Sequence, residues 1–293
     1  MRNTLNVTTN VLIVYHKVDW DGLMSAAIVL WSIGKADLLP MNYGDEVPPI
    51  KTLRQYETVY IVDFSLPKDI MEDIWDKVVW IDHHVSAIKA LGDTAYEGIQ
   101  DTSFSACELC WMWFHPTEPM PRAVQLLGEY DIFEKTGRYA DWDDILAFQL
   151  ASRAIPLDLP NAGHFLEMSE AEIIKLLSTG RAIVSFKREE EKTAFSRLAW
   201  DVTIKGRPAK ALFANDMSSL ICEQTLANGD ADIVILLNRC NDTVFKASIR
   251  VSERSDFDAS AFAREYSGGG HQKAAGCLFT VDEVLHLYTN HTI

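Results

Sequence analysis

The sequence predicts an α/β protein: an N-terminal domain with a mostly parallel sheet flanked by helices, a helical connector, and a smaller C-terminal mixed α/β domain. Three observations lead there. Short β-branched or aromatic runs alternate with helical segments through the first hundred residues. Aspartates and histidines recur where those runs end. Beyond residue 200 the texture changes to strands joined by turn-rich segments. The expected divisions are 1–167, 168–199 and 200–293.

The elements follow in order. VLIVY (11–15) reads as the first strand, and the apolar stretch to residue 33 after it reads as a helix. That stretch, GLMSAAIVLWSI from 22, is too short to cross a bilayer. TVYIVDF (58–64) is a second strand. PKDIMEDIWDK from 67 is a helix with proline in its first turn, and VVWI (78–81) is a third strand. Strands alternating with helices form a parallel sheet. CELCWMWF, RAVQLLGEYDIFEK and DWDDILAFQLASRA continue as helices, and 168–198 reads as a helical connector. VTIKGRPAKALFA, ADIVILLNR and TVFKASIRVS are the strands of the last region, with NGD and NRCND as joints.

Composition limits the function classes. At 293 residues, 48% of them hydrophobic, the chain can bury two cores. A net charge of −15 argues against a protein that coats long duplex nucleic acid. Residues 1–199 hold 18 Lys and Arg against 30 Asp and Glu, whereas 200–293 hold 9 against 12. The first part could therefore carry acids that need cations, and the second could face an anion. Five cysteines give no disulfide framework, and Cys107 and Cys110, in ACELCWMWF, read as a buried helix face rather than a metal or redox pair. Without a signal-peptide pattern the expected location is cytoplasmic, with no membrane partner.

Chemistry collects at the strand ends. The first strand runs into HKVDWDG (16–22), the second ends in Val62-Asp63, and the third in Asp82-His83-His84. In a parallel sheet the carboxyl ends form the crevice where ligands sit. One aspartate after a strand is ordinarily a turn or cap residue. Three consecutive strands ending this way point instead to a cluster, and crowded carboxylates and imidazoles require a cation among them. Hard oxygen donors mixed with imidazole suit Mn2+ or Mg2+ and accept Co2+ or Fe2+.

HKVDWDG, IVDFS, WIDHHV and EYDIFE in this order, followed by SGGGHQKAAGC (267–277), resemble the DHH phosphoesterase family with its DHHA1 C-terminal domain. The resemblance implies that His16, Asp19 and Asp63 hold one metal, and that Asp21, Asp63, His83 and Asp131 hold the second, with Asp63 bridging. It gives His84 a contact with the substrate phosphate and Asp82 the orienting of its neighbours. The first motif is spaced H-x-x-D-x-D where many members have H-x-x-x-D-x-D, which bears on Asp19. Asp131 competes with the nearby Asp141, Asp143 and Asp144, and its GEYDIFE context favours it.

In the C-terminal domain the resemblance assigns substrate binding to Ser248 and Arg250, and to Gly268, Gly269, Gly270 and His271. Glycine backbone can approach an anion closely, and Lys246 and Lys273 would add charge. The plain alternative for the glycines is a turn before a buried AAGCLF segment. Phe245, Phe257 and Tyr266 could line a base pocket, but the sequence does not assign them.

The implied cofactors are two divalent ions, Mn2+ first and Mg2+ or Co2+ as alternatives, which activate water so that no protein nucleophile is needed. The implied reaction is hydrolysis of short oligonucleotides or linear dinucleotides to nucleoside 5′-monophosphates. An exopolyphosphatase-like phosphoanhydride hydrolase and a cyclic-dinucleotide phosphodiesterase are the enzyme alternatives. A nucleotide-binding protein without turnover is the non-enzyme one. A homodimer through the Trp-rich stretch 111–113 is an alternative to burying it in the core.

Overall fold

The computed structural model describes residues 5, 7–92, 94–133, 135, 137–214 and 222–293. Glu134 of the EYDIFE motif lies outside them. The chain forms two compact units, Met1–Val184 and Ser185–Ile293.

The first unit opens with Val11–His16 (β1), Trp20–Ile33 (α1), Asp37–Met41 (β2), Ile50–Leu53 (α2), Thr58–Val62 (β3), Lys68–Asp73 (α3), Val78–Asp82 (β4), Val85–Leu91 (α4) and Glu97–Gln100 (β5). The strands pair in parallel in the order β2-β1-β3-β4-β5. Leu12, Ile13 and Val14 are wholly buried and every residue of β4 is buried, as expected of strands covered on both faces. One face packs Leu12, Val14, Val59, Ile61, Val78 and Trp80 against Leu53, Tyr56, Met71, Ile74 and Leu91. Helix α1 and a later helix, Ala106–Phe114 (α5), pack together and against the sheet. Cys107 and Cys110 are fully buried on α5 as free thiols.

Two strands escape the sequence pattern, for the same reason. β2 (DLLPM) carries Pro40 and β5 (EGIQ) has only four residues. Both lie at sheet edges, where one side makes no ladder and proline and brevity are tolerated.

Helices complete this unit: Arg122–Asp131 (α6), Trp142–Ser152 (α7), Leu159–Leu166 (α8) and the long Glu170–Leu198 (α9). The division between the units falls inside α9. Among the described residues no helix is long and apolar enough to cross a membrane.

The second unit adds Trp200–Ile204 (β6), Arg207–Phe213 (β7), Glu223–Asn228 (α10), Ile233–Arg239 (β8), Val244–Val251 (β9), Ala259–Glu265 (α11), Gly269–Gly270 (β10), Ala274–Thr280 (β11) and Val281–Asn290 (α12). Its sheet runs β10-β11-β9-β8-β7-β6, parallel only between β7 and β8. AAGCLF is therefore a strand. On one face Ala247, Ile249, Ala275, Cys277 and Phe279 pack with Phe262 and Leu287. Phe257 belongs to the same core, with Phe245 and Tyr266 packed against it.

A candidate metal centre at the carboxyl ends of the strands

Parallel strand order brings the ends of β1, β3 and β4 side by side, and each ends in ionisable groups. His16 closes β1, Asp63 follows β3, and Asp82-His83-His84 spans the end of β4. Asp19 caps α1: one carboxylate oxygen accepts the Gly22 N–H at 3.0 Å, and the other lies 2.9 Å from His16 Nδ1. The shorter first motif thus still brings Asp19 beside His16. Contact with Asp19, and then with Asp63, pushes His16 up to about 10 against the opposing effect of burial.

Asp63 is 2% exposed and stands between two groups of donors. Its Oδ2 lies 3.5 Å from His16 Nδ1, and its Oδ1 lies 3.3 Å from His83 Nε2. His83 Nε2 also lies 3.6 Å from Asp21 Oδ2 and 3.3 Å from Asp131 Oδ2. Burial, and next the Asp21 carboxylate, push the Asp63 carboxyl well above the ordinary carboxylate range. Asp63 is also at φ 51°, a left-handed conformation that aspartate and asparagine tolerate better than most residues.

Asp131 ends α6, where a carboxylate opposes the helix dipole, so its position is not explained by helix stability. Of its sequence competitors, Asp144 pairs with Arg181 at 2.7 Å and Asp141 stands at the N-cap position of α7.

These donors fit divalent metal. His16, Asp19 and Asp63 form one group whose ligand atoms lie within 4.8 Å of one another, and Asp21, His83 and Asp131 form another. Asp63, Asp82, His83 and His84 form a third, overlapping group. Among the described residues, His83 Nε2 and His16 Nδ1 are buried and find no well-aligned hydrogen-bond partner, although carboxylate oxygens lie near both. An unpaired buried polar atom is costly, and a cation among those oxygens removes the cost. Every donor is oxygen or imidazole nitrogen, the set for Mn2+, Mg2+ or Co2+.

Supporting contacts complete the site, and sequence reasoning missed most of them. Asp82 is fully buried, and its Oδ1 accepts the N–H groups of His83 (2.8 Å) and His84 (3.2 Å) and lies 2.7 Å from His84 Nδ1. Burial opposes charge on His84, but the bond to Asp82 outweighs it and raises its pKa. Asp21 is oriented by α5, eighty-odd residues away in sequence. Its two oxygens accept the N–H groups of Ala106 (2.9 Å) and Cys107 (2.8 Å), the unpaired donors of that helix's first turn. Ser105 and Glu108 lock the same turn as a capping box. Beyond β2, Asn42 Oδ1 lies 3.2 Å from His16 Nε2, leaving Nδ1 to face the acids. The S-x-x-E of SACE was the one available sequence signal, and Asn42 offered none.

In the second unit Lys246, Ser248 and Arg250 alternate with the buried Ala247, Ile249 and Val251, so they share the face turned away from that core. Gly269, Gly276 and Ser248 sit in one row across β10, β11 and β9. A Cβ on Gly269 would meet nothing within 4 Å, whereas on Gly268 it would lie 2.2 Å from the Gly276 carbonyl oxygen. Gly270, at φ 139°, is likewise crowded by β11. Packing thus accounts for Gly268 and Gly270, and open space lies above Gly269. His271 is exposed in the turn between β10 and β11. The Lys273 ammonium donates to the carbonyls of Ser252 (3.0 Å), Glu253 (3.2 Å) and Ser255, so it braces a loop.

No protein-family model and no curated protein sequence matches the chain. Solved structures do. PggH, a pGpG-specific phosphodiesterase from Vibrio cholerae, is 14% identical and superposes with a TM-score of 0.56 over 96% of both chains. The DHH domain of a protein described as belonging to a family of ribosomal proteins, also 14% identical, gives 0.58 over 96% of this chain and 85% of its own. The chain has the fold of DHH-domain proteins.

Proposed function

We propose that this chain is a DHH/DHHA1-type phosphoesterase that uses divalent metal to hydrolyse short oligonucleotides or linear dinucleotides to nucleoside 5′-monophosphates. The observation that carries the proposal is Asp63, whose two oxygens face two separate groups of nitrogen and oxygen donors. His16, Asp19 and Asp63 would hold one ion, and Asp21, Asp63, His83 and Asp131 the other, with Mn2+ favoured and Mg2+ or Co2+ as alternatives. Bound there, the ions lower the pKa of water and neutralise charge on the phosphoryl group.

The chain's own residues do the rest. Asp82 fixes His84 through Nδ1, so Nε2 is the nitrogen left to hold a phosphoryl oxygen and to supply a proton to the leaving oxygen. α5 fixes Asp21 through two N–H groups, and Asn42 fixes His16, so those donors need little reorganisation. In the second unit, Ser248, Arg250, Gly268, Gly269, Gly270 and His271 would bind substrate, Arg250 as a fork for an anion. The likeness in fold to a pGpG-specific phosphodiesterase supports a linear dinucleotide.

The test is hydrolysis of 5′-phosphorylated diadenylate and diguanylate with Mn2+, beside polyphosphate and a cyclic dinucleotide. Nucleoside monophosphate release that stops with a chelator and returns with Mn2+ is expected. Phosphate release from polyphosphate alone would replace this reading with the phosphoanhydride one. Silence on all four would leave a binding protein. Asn42→Ala should weaken Mn2+ binding about 10- to 100-fold by calorimetry with little change in the melting midpoint, because it removes the partner that orients His16 and otherwise only an acceptor for the Tyr43 N–H in an exposed turn.

A further inference from the structure

The three aromatic side chains of the second unit that could have faced a base, Phe245, Phe257 and Tyr266, pack into its core. The first unit carries an aromatic ring in a different situation. Tyr43, just beyond β2, is 53% exposed, yet its ring lies 5.8 Å from the His16 ring and 6.3 Å, edge-on, from the His84 ring. Phe64, itself 3% exposed, backs it at 4.7 Å with the planes 35° apart. One face of the tyrosine is therefore supported while the ring stays half in solvent.

The turn that carries Tyr43 is fixed. Asn42 Oδ1 accepts the Tyr43 N–H at 2.9 Å, and Asp45 accepts the Asn42 N–H at 2.8 Å while pairing with Lys17. A lone exposed aromatic ordinarily needs no explanation. This one is braced by two hydrogen bonds and a buried ring, beside the histidine that the phosphoesterase reading gives to the phosphate. Its distance from His84 is comparable to the reach from a nucleotide's phosphate, through the sugar, to its base.

We propose that Tyr43 is a stacking platform for the base of the nucleotide at the scissile phosphate, which makes this a site for nucleotides rather than for bare polyphosphate. The inference rests on the phosphoesterase reading and deepens it. Stacking tolerates any base because each has a π-face, so Tyr43 would select for the presence of a base and not for its identity.

The test compares wild type, Tyr43→Ala and Tyr43→Phe with Mn2+ on a 5′-phosphorylated dinucleotide, on its abasic analogue and on tripolyphosphate. Tyr43→Ala should lower the ratio of kcat/KM on the dinucleotide to that on the abasic analogue about 10- to 100-fold, mainly through KM. Tyr43→Phe should restore most of that ratio, since the ring and not the hydroxyl does the stacking. An unchanged ratio in Tyr43→Ala, or a Tyr43→Phe as impaired as Tyr43→Ala, overturns the platform while leaving the phosphoesterase reading intact. A wild type that hydrolyses none of the three overturns that reading. Calorimetric binding of AMP then decides the platform separately: weaker binding in Tyr43→Ala upholds it, and equal binding overturns it.

Discussion

Replacing Asp63 with asparagine should leave the protein folded, make the metal-free form more stable, and abolish both stabilisation by Mn2+ and hydrolysis. The carboxylate is 2% exposed, and burial and Asp21 hold its carboxyl well above the ordinary range. Charge is therefore costly there without a cation. Asparagine keeps the shape, tolerates the φ of 51° and removes the charge. A gain of about 1–3 kcal/mol in the metal-free protein is expected, read as a rise of roughly 2–4 °C per kcal/mol in a thermal melt. The same change removes the one side chain among the described residues that faces both donor groups. Wild type should gain about 2.7 kcal/mol at Mn2+ a hundredfold above its Kd, and the mutant almost none. Loss of several kcal/mol of charge stabilisation corresponds to a fall of about a thousandfold or more in rate. A mutant that still melts higher with Mn2+ and still turns over substrate would remove Asp63 from the centre.

Gly22→Ala should be among the most damaging single-methyl changes in the first unit. Gly22, in the first turn of α1, lies directly over the end of β1, and a Cβ there would lie 2.1 Å from the His16 carbonyl oxygen and 2.8 Å from His16 Cβ. Neither side can retreat cheaply. Asp19 caps the helix, Trp20, Leu23 and Met24 are buried beside the glycine, and β1 is the second strand of its sheet. Alanine is the better helix former by about 1 kcal/mol, but a contact this short against backbone costs about 3 kcal/mol or more. The net is a loss of stability together with displacement of His16, seen as a lower midpoint and weaker Mn2+ binding. Gly163→Ala is the control. It is a helical glycine in α8 with nothing within 4 Å of the added methyl, and it should gain about 0.4–1 kcal/mol. If both variants melt like wild type, the close packing of α1 on β1 is wrong.

These two residues also show how much could be read from the chain. Asp63 was legible because a strand followed by an aspartate is a local pattern that recurs three times within 70 residues. The glycine of HKVDWDG was visible as a motif letter, but its reason, the passage of a helix over a strand end, is a distance between elements. β2 and β5 were hidden because edge strands can carry Pro40 or stop after four residues. Asn42 and Tyr43 were hidden with β2.

The sequence by itself determined the alternation of strands and helices in the first unit, the change of texture near residue 200, and the kinds of donor placed at the strand ends, because each is written in neighbouring residues. Only the tertiary structure decided how those donors meet. The order β2-β1-β3-β4 brings His16, Asp63 and His83 together, and it leaves Asn42 and Tyr43 at the same edge. The first turn of α5 reaches Asp21 across 85 residues of chain. The second unit packs Phe245, Phe257 and Tyr266 with its core while leaving Ser248, Arg250 and Gly269 on the other face of its sheet. The physical reason is the same throughout: hydrophobic periodicity is local, whereas the approach of two polar groups depends on which strands pair and on how helices pack over their ends.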